Sequence, residues 1–379
     1  MFVPVEHGLD PALMLSNHRA SRAVFPMSVP DHMYFHRARN AIYHLFRSLK
    51  LGPGETVLVP DYHNGNEVQA IRAAGVAVRF YRIGRNLEVD LEHLTQLART
   101  TRARVVFVIH YFGWPQPVKE LMALCEAQGM MLVEDCALSL LSETLGRPLG
   151  SFGRYATFCL YKTLPVPNGG VLVANDGGLD GLGDLALEPC RVATRAGRTV
   201  DLMLEWLRGR AFAPGAAGFA VKRAAGRAMT GLRVPRVPFG DIGFDLDSVN
   251  VAVAPLSRML LGRFDYDEVR RHRRRNFQML RDRLQGRAAL LPFELEVGTC
   301  PLIFPLLVPD KSGAARALQA SGISAMEFWN GGDPDTRGHD HDDAWYLRTH
   351  LVELPIHQDI TPEQIDYMAQ RVLDLRLHF

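Results

Sequence analysis

Lys162 closes Ala156-Thr157-Phe158-Cys159-Leu160-Tyr161-Lys162, an apolar run of strand-forming residues, and a loop then leads to Gly169-Gly170. It is one of five lysines in a chain whose positive charge is otherwise carried by arginine. A surface lysine normally lies among polar neighbours that keep its compact ammonium hydrated. An amine at the end of a buried strand is partly desolvated and can attack a carbonyl. A second apolar strand, Leu132-Val133-Glu134-Asp135, ends in a carboxylate. A lysine and an aspartate at two strand ends are the pair that pyridoxal phosphate chemistry needs. The lysine forms a Schiff base with the aldehyde, and the aspartate pairs with the protonated ring nitrogen. Asp135 would stay ionised at a buried strand end only opposite such a cation. The structural alternatives are an ion-paired lysine and a helix-capping aspartate.

The elements that must position these two residues follow from periodicity. Residues 38–50 carry Ala41, Ile42, Leu45, Phe46 and Leu49 at helical spacing. Gly52-Pro53-Gly54 makes a turn into a strand at 56–59, and Pro60 stops it. Helices at 65–74, 91–99 and 116–128 alternate with strands at 76–80, 104–109 and 130–134, and strands at 155–160 and 170–174 follow. Short apolar strands alternating with helices predict an α/β fold, a mostly parallel sheet covered on both faces. Ligands of such sheets bind beyond the carboxyl ends of the strands, where Pro60, His110, Asp135 and Lys162 fall. Residues 248–288 read as one or two long helices. A strand at 302–308 and helices at 312–320 and 362–375 predict a smaller α+β domain. We divide the chain into a large domain, 20–255, with a divergent helical insertion at about 190–245, and a C-terminal domain, 256–379, joined by residues 1–19.

Composition narrows the function classes. The net charge of +2 argues against a dedicated nucleic-acid binder. Cys125, Cys136, Cys159, Cys190 and Cys300 have no CxxC spacing, which predicts free thiols in a reducing cytoplasm and no zinc site. No signal peptide or apolar membrane span is evident.

The intervals resemble those of the DegT/DnrJ/EryC1/StrS family of fold-type-I, pyridoxal-phosphate-dependent aminotransferases, which act largely on nucleotide-linked keto-sugars. The likeness covers about residues 35–175 and returns near the C-terminus. It rests on Lys162 followed at the family's spacing by Gly169-Gly170, on Glu134-Asp135, on His110-Tyr111-Phe112-Gly113 and on Leu354-Pro355-Ile356-His357. The resemblance implies that Lys162 and Asp135 are catalytic and that Thr157, where the family has serine, donates its hydroxyl to the cofactor phosphate. Arg39 and Asn40 begin a helix whose N-terminal amides would favour the same phosphate; otherwise Arg39 is a solvated arginine. His63 is the residue expected over the cofactor ring, with Tyr62 the other choice; otherwise Tyr62 is a core aromatic and His63 a loop hydrogen-bonder. The implied reaction moves an amino group from an amino-acid donor such as glutamate to a keto-sugar or related carbonyl compound. The implied partner is a second copy of the chain, a homodimer with shared sites.

Three positions depart from the family pattern. Leu138 stands where many members have glutamine near the cofactor's phenolic oxygen. Gly243-Phe244-Asp245-Leu246-Asp247 replaces Gly-x-Asn-x-Arg, which reaches the neighbouring subunit's site, so either the segment is repositioned or the substrate differs. Asn168 replaces a glutamate before Gly169-Gly170. A dehydratase of the same fold is the nearest alternative, although the family's sugar dehydratases have histidine at the Lys162 position. A non-catalytic sensor or scaffold with this fold is another. Elsewhere, His339-Asp340-His341-Asp342-Asp343 has metal-ligand residue types but reads as a solvated acidic loop. The arginine run 270–275 reads as a solvated helix face. Residues 201–229 read as a helical insertion over the site or at a dimer interface, with contact to a membrane or lipid-linked substrate the lesser reading.

Overall fold

The computed structural model of the chain describes residues 1–15, 23–179, 181–230 and 243–377. Residues 16–19 of the expected N-terminal arm and 231–242 of the expected insertion lie outside them. The first half of the chain alternates strands and helices. The strands are β1 (His32–Phe35), β2 (Thr56–Pro60), β3 (Ala77–Tyr81), β4 (Ala103–Ile109) and β5 (Met131–Asp135). A short helix α1 (Pro11–Leu15) precedes them, and α2 (Ala38–Ser48), α3 (Asn66–Ala73), α4 (Leu91–Thr100) and α5 (Val118–Gln128) lie between them. After a small hairpin of β6 (Glu143–Thr144) and β7 (Arg147–Pro148) come β8 (Tyr155–Cys159) and β9 (Gly170–Ala174).

These strands, the hairpin apart, form a seven-stranded sheet in the order β1-β9-β8-β5-β4-β2-β3. The four pairings from β8 to β3 are parallel and the two from β1 to β8 antiparallel. The mostly parallel α/β sheet is therefore as the alternation predicts; β9 runs against the other strands, and the edge strand β1 is an addition to them. α6 (Val192–Arg210) and α7 (Phe212–Thr230) pack on each other, followed by α8 (Pro255–Leu261) and α9 (Tyr266–Leu284). A second, antiparallel sheet joins β10 (Ala289–Leu290), β11 (Ile303–Leu307) and β12 (Leu351–Pro355). α10 (Lys311–Ala320), α11 (Asp342–His350) and α12 (Pro362–Asp374) complete this part of the chain.

Residues directly opposite each other on neighbouring strands point to the same face. Asp135 is opposite Thr157, Thr157 opposite Leu172, and Cys159 opposite Gly170. Leu172 packs in the apolar cluster that contains Ala41, Leu45 and Phe46 of α2, so all these residues face α2. The alternating residues Ala156, Phe158, Val171 and Val173 face Leu202, Leu260, Phe264 and Val269 on the other side.

Two expectations are corrected. The arginine run is not simply a solvated face, because Arg273 is 1% exposed. Its guanidinium donates to the carbonyls of Thr163, Pro301 and Leu302 and to Gln358 Oε1. The acidic loop is exposed at His339, Asp340 and Asp342, as expected, but two of its members are held by partners. His341 bonds the buried Asp61 at 2.8 Å, and Asp343 pairs with Arg85 at 2.7 Å. Among the described residues no helix is long and apolar enough to cross a membrane. The α6–α7 pair instead meets the chain's own N-terminal arm, where Leu9 N–H bonds the Leu202 carbonyl and Phe2 packs on Phe212.

Candidate active site

β8 delivers Lys162. The strand ends at Cys159 and passes into a 3₁₀ turn, Leu160–Lys162, closed by Leu160 N–H on the Gly169 carbonyl. Gly169 in turn donates to the His36 carbonyl, just before α2. A Cβ at Gly170 would collide with the Arg37 carbonyl and the Ala38 nitrogen. The interval from Lys162 to the glycine pair thus has a physical reason, since the start of α2 must lie against the strand next to the lysine turn.

Asp135 and Glu134 divide their tasks by strand alternation. Glu134 is buried and accepts from the amides of Gly150, Phe152 and Gly153, which pins the approach to β8. It also accepts from His110 Nε2 at 2.9 Å. His110 Nδ1 takes the Gln116 amide hydrogen, so the ring proton is on Nε2. Burial pushes the Glu134 carboxyl up, but the His110 hydrogen bond and these amides bring it below the usual range. Cys136 lies close enough to His110 and Glu134 to suggest a metal site. The ring nitrogens and carboxylate oxygens there are already hydrogen-bonded.

Asp135 faces the opposite side and accepts one hydrogen bond, from Ala137 N–H at 2.9 Å. Burial, and then the nearby Glu67 carboxylate, push its pKa up to about 7, against the Ala137 bond and the Lys162 charge. Beside it, Thr157 is fully buried and its hydroxyl has no partner. Lys162 is half-buried and makes no hydrogen bond or ion pair with a described residue. The face towards α2 therefore collects an under-bonded carboxylate, a buried unpartnered hydroxyl and a free amine. A carboxylate so placed is suited to a cationic ring nitrogen, and the hydroxyl and helix start to a phosphate. The residues present fit pyridoxal phosphate.

The other expected residues are placed less uniformly. Arg39 reaches the Asn66 amide oxygen at 2.7 Å and the Gly243 carbonyl. Asn40 uses its side-chain amide on the Ser248 and Val249 carbonyls, so that amide holds the 245–249 segment and is not free for a phosphate. His63 stacks on Phe80 of the edge strand β3 at 5.4 Å, three strands along from β5. Both its ring nitrogens lack partners, so it is not a loop hydrogen-bonder. Tyr62 is buried against Trp329 and Tyr111, with Arg348 over its ring.

The departures from the family pattern have local explanations. Leu138 is buried in the apolar core. Asn168 Oδ1 accepts from Ala254 N–H and the Ser257 hydroxyl, while its amide donates to His36 Nδ1. Asp245 is exposed and caps its own 3₁₀ turn by accepting from Asp247 N–H.

Residues 36–186 match the model of the DegT/DnrJ/EryC1/StrS aminotransferase family. Among curated family relatives, a UDP-N-acetyl-3-dehydro-alpha-D-glucosamine 3-aminotransferase of Acidithiobacillus ferrooxidans is 27% identical over 149 residues, 39% of each chain. A dTDP-4-dehydro-2,3,6-trideoxy-D-glucose 4-aminotransferase of Saccharopolyspora spinosa is 32% identical over 139 residues, 36% of each. These alignments span about two fifths of the curated relatives' length. The fold likeness is longer. Helicobacter pylori PseC, an aminotransferase involved in the biosynthesis of pseudoaminic acid, superposes with a TM-score of 0.67 over 98% of both chains at 15% identity. The chain shares the fold of this aminotransferase.

Glu67, Arg37 and Arg273 were not singled out from the sequence. Glu67 is an acid in the first turn of α3, where acids are common. Arg273 sits in an arginine run that disguises its burial. Arg273→Lys should lower stability by about 2–4 kcal/mol, because one ammonium cannot serve the four acceptors of the guanidinium. Urea unfolding at fixed pH measures this, and an unchanged midpoint would refute the role of these bonds.

Proposed function

We propose that the chain is a pyridoxal-phosphate-dependent aminotransferase that moves an amino group from an amino-acid donor, glutamate first among them, to a keto-sugar. The observation that carries this reading is the free amine of Lys162 beside Asp135 and Thr157, on the face of the sheet where α2 begins. Bound there, the cofactor would supply an aldehyde for the amino group and a ring able to accept the electrons left by proton loss. Asp135 would hold the ring nitrogen protonated. Thr157 would bind the phosphate. Lys162 would attach the aldehyde at rest and, once displaced by the donor amine, carry a proton to and from the substrate carbon.

The substrates for which the relatives are named, a UDP-linked and a dTDP-linked keto-sugar, support a sugar acceptor and favour a nucleotide-linked one. The five free cysteines are all buried, which suits a reducing cytoplasm. On the same reading the working form is a homodimer.

Borohydride reduction followed by peptide mapping tests the assignment. The pyridoxyl group is expected on Lys162, and its appearance on another lysine, or on none, would defeat the proposal. Glutamate should convert the bound cofactor to its amine form in a half-reaction followed by absorbance. No conversion would remove glutamate as the donor while leaving the lysine assignment intact.

A further inference from the structure

The outer side of α7 is a surface to which the reading above gives no task. Gly215 and Gly218 let α7 lie close on α6, since a Cβ at Gly215 would collide with the Arg208 backbone and one at Gly218 with the Leu204 side chain. Phe219 belongs to this inner side too, with the Arg208 guanidinium over its ring. The opposite positions, Ala213, Ala217, Ala220 and Val221, recur at helical spacing and are all exposed. Val221 is 70% exposed, and Phe212 is 54% exposed even with Phe2 packed beside it. A surface helix normally turns its apolar stripe to the core and its charges to water. α7 turns an apolar stripe outward.

Charge says what fits there. Residues 191–230, which span α6 and α7, contain eight arginines and lysines and two acids, in a chain whose net charge is +2. Both acids are taken up within the helix pair, Asp201 by Lys222 and the buried Glu205 by Arg208. The N-terminal arm meets two more of the cations, with Glu6 on Arg198 and Asp10 3.8 Å from Arg210. From Trp206 to Thr230 the sequence has no acid at all. The pair is thus a cationic unit with an exposed apolar stripe. A bilayer with anionic headgroups is its complement, negative charge over a hydrocarbon interior. A second copy laying the same face on this one would bring like charges together. A nucleic acid would offer phosphates to the cations and nothing to the alanines.

We propose that the α6–α7 pair docks on an anionic membrane surface, with α7 lying in the plane of the bilayer and the side bearing Ala217 and Val221 set among the headgroups. The contact is peripheral, because no described helix is long and apolar enough to cross. Small side chains keep it shallow, so binding needs the cations as well as the stripe and is reversible. Each cation near the surface contributes about fivefold, and salt screens it. The inference does not depend on the chemistry assigned to Lys162.

Vesicle flotation of the full-length protein is the test. The protein should float with vesicles of phosphatidylcholine and phosphatidylglycerol in about equal amounts and not with phosphatidylcholine alone. Raising salt from about 0.1 M to about 1 M should release it. Ala217→Glu combined with Val221→Glu, both at exposed helix positions, should weaken binding at least about 10-fold and leave the thermal melt and amino transfer unchanged. Val221→Ser, a milder change, should lose part of the binding. Val297→Glu, at a residue 88% exposed elsewhere on the molecule, should bind as the wild type does. Absence of wild-type flotation with the mixed vesicles would overturn the proposal. So would undiminished binding by the double variant, or an equal loss in Val297→Glu, which would make the effect one of net charge. A wild-type dimer that fails to float and that the double variant splits would assign the face to a second copy instead.

Discussion

Lys162→Ala should reduce amino transfer by at least about 10⁴-fold, the upper range for a positioned acid–base group, because on the proposed reading the same amine is also the point of covalent attachment. The loss should fall on chemistry and not on folding. Lys162 is half-buried and bonds no described residue, so its removal leaves no buried partner unsatisfied. Asp135, Thr157 and the start of α2 remain, so the variant should still bind pyridoxal phosphate non-covalently. Single-turnover mixing with glutamate separates the two properties. Cofactor retained without conversion to its amine form is the expected result. Conversion at a wild-type rate would show that Lys162 is not the catalytic amine.

Asp135→Asn should also damage activity, though less severely, and should stabilise the apoprotein. Loss of a single preorganised electrostatic partner corresponds to about 10²–10³-fold in rate. In the apoprotein, burial and Glu67 raise the Asp135 pKa to about 7, from the usual value of 3.8. The folded chain therefore keeps a proton that the unfolded chain releases between these two values. The stabilisation is complete below about pH 4 and disappears as pH rises through about 7. Above that pH the ionised carboxylate lies buried with one hydrogen bond. Asparagine avoids this cost, so apo Asp135→Asn should be the more stable protein at pH 8, by up to a few kcal/mol. The advantage should shrink as pH falls. Thermal melts of both apoproteins from pH 5 to 8 would reveal it. A pH-independent difference, or activity lost only in proportion to stability, would make Asp135 a structural residue.

Much of this site was legible from spacing because its strand residues are fixed by short-range geometry. Alternation along β8 and the turn after it determine where Thr157 and Lys162 point, and Gly170 is dictated by the backbone of α2. The parallel strands were equally readable, as uninterrupted apolar runs between helices. Residues whose roles depend on distant partners were harder to read. Asn40 resembles a helix-start phosphate ligand until Ser248 and Val249, about 200 positions away, take its amide. His63 lies just past a strand end, as expected of a ligand residue, but the neighbouring strand offers it Phe80. Arg273 looks like any member of a charged run, because nothing local to it announces that the Thr163 carbonyl lies overhead. His341 was read as solvated for the same reason, and its partner Asp61 is 280 positions away.

The Thr163 carbonyl also bears on the order of folding. It accepts from Arg273, 110 positions later, and from Gln358, 195 positions later. His7, near the other end of the chain, lies against the next carbonyl, Leu164. The peptide units after Lys162 are thus tied by residues from both ends of the molecule. Such contacts close very long loops and form after local helices and neighbouring strands have paired. A chain emerging from the ribosome can complete the parallel strands well before Gln358 has been made. Chemical competence should therefore arrive last, so that partly folded protein carries the lysine without a settled turn to aim it.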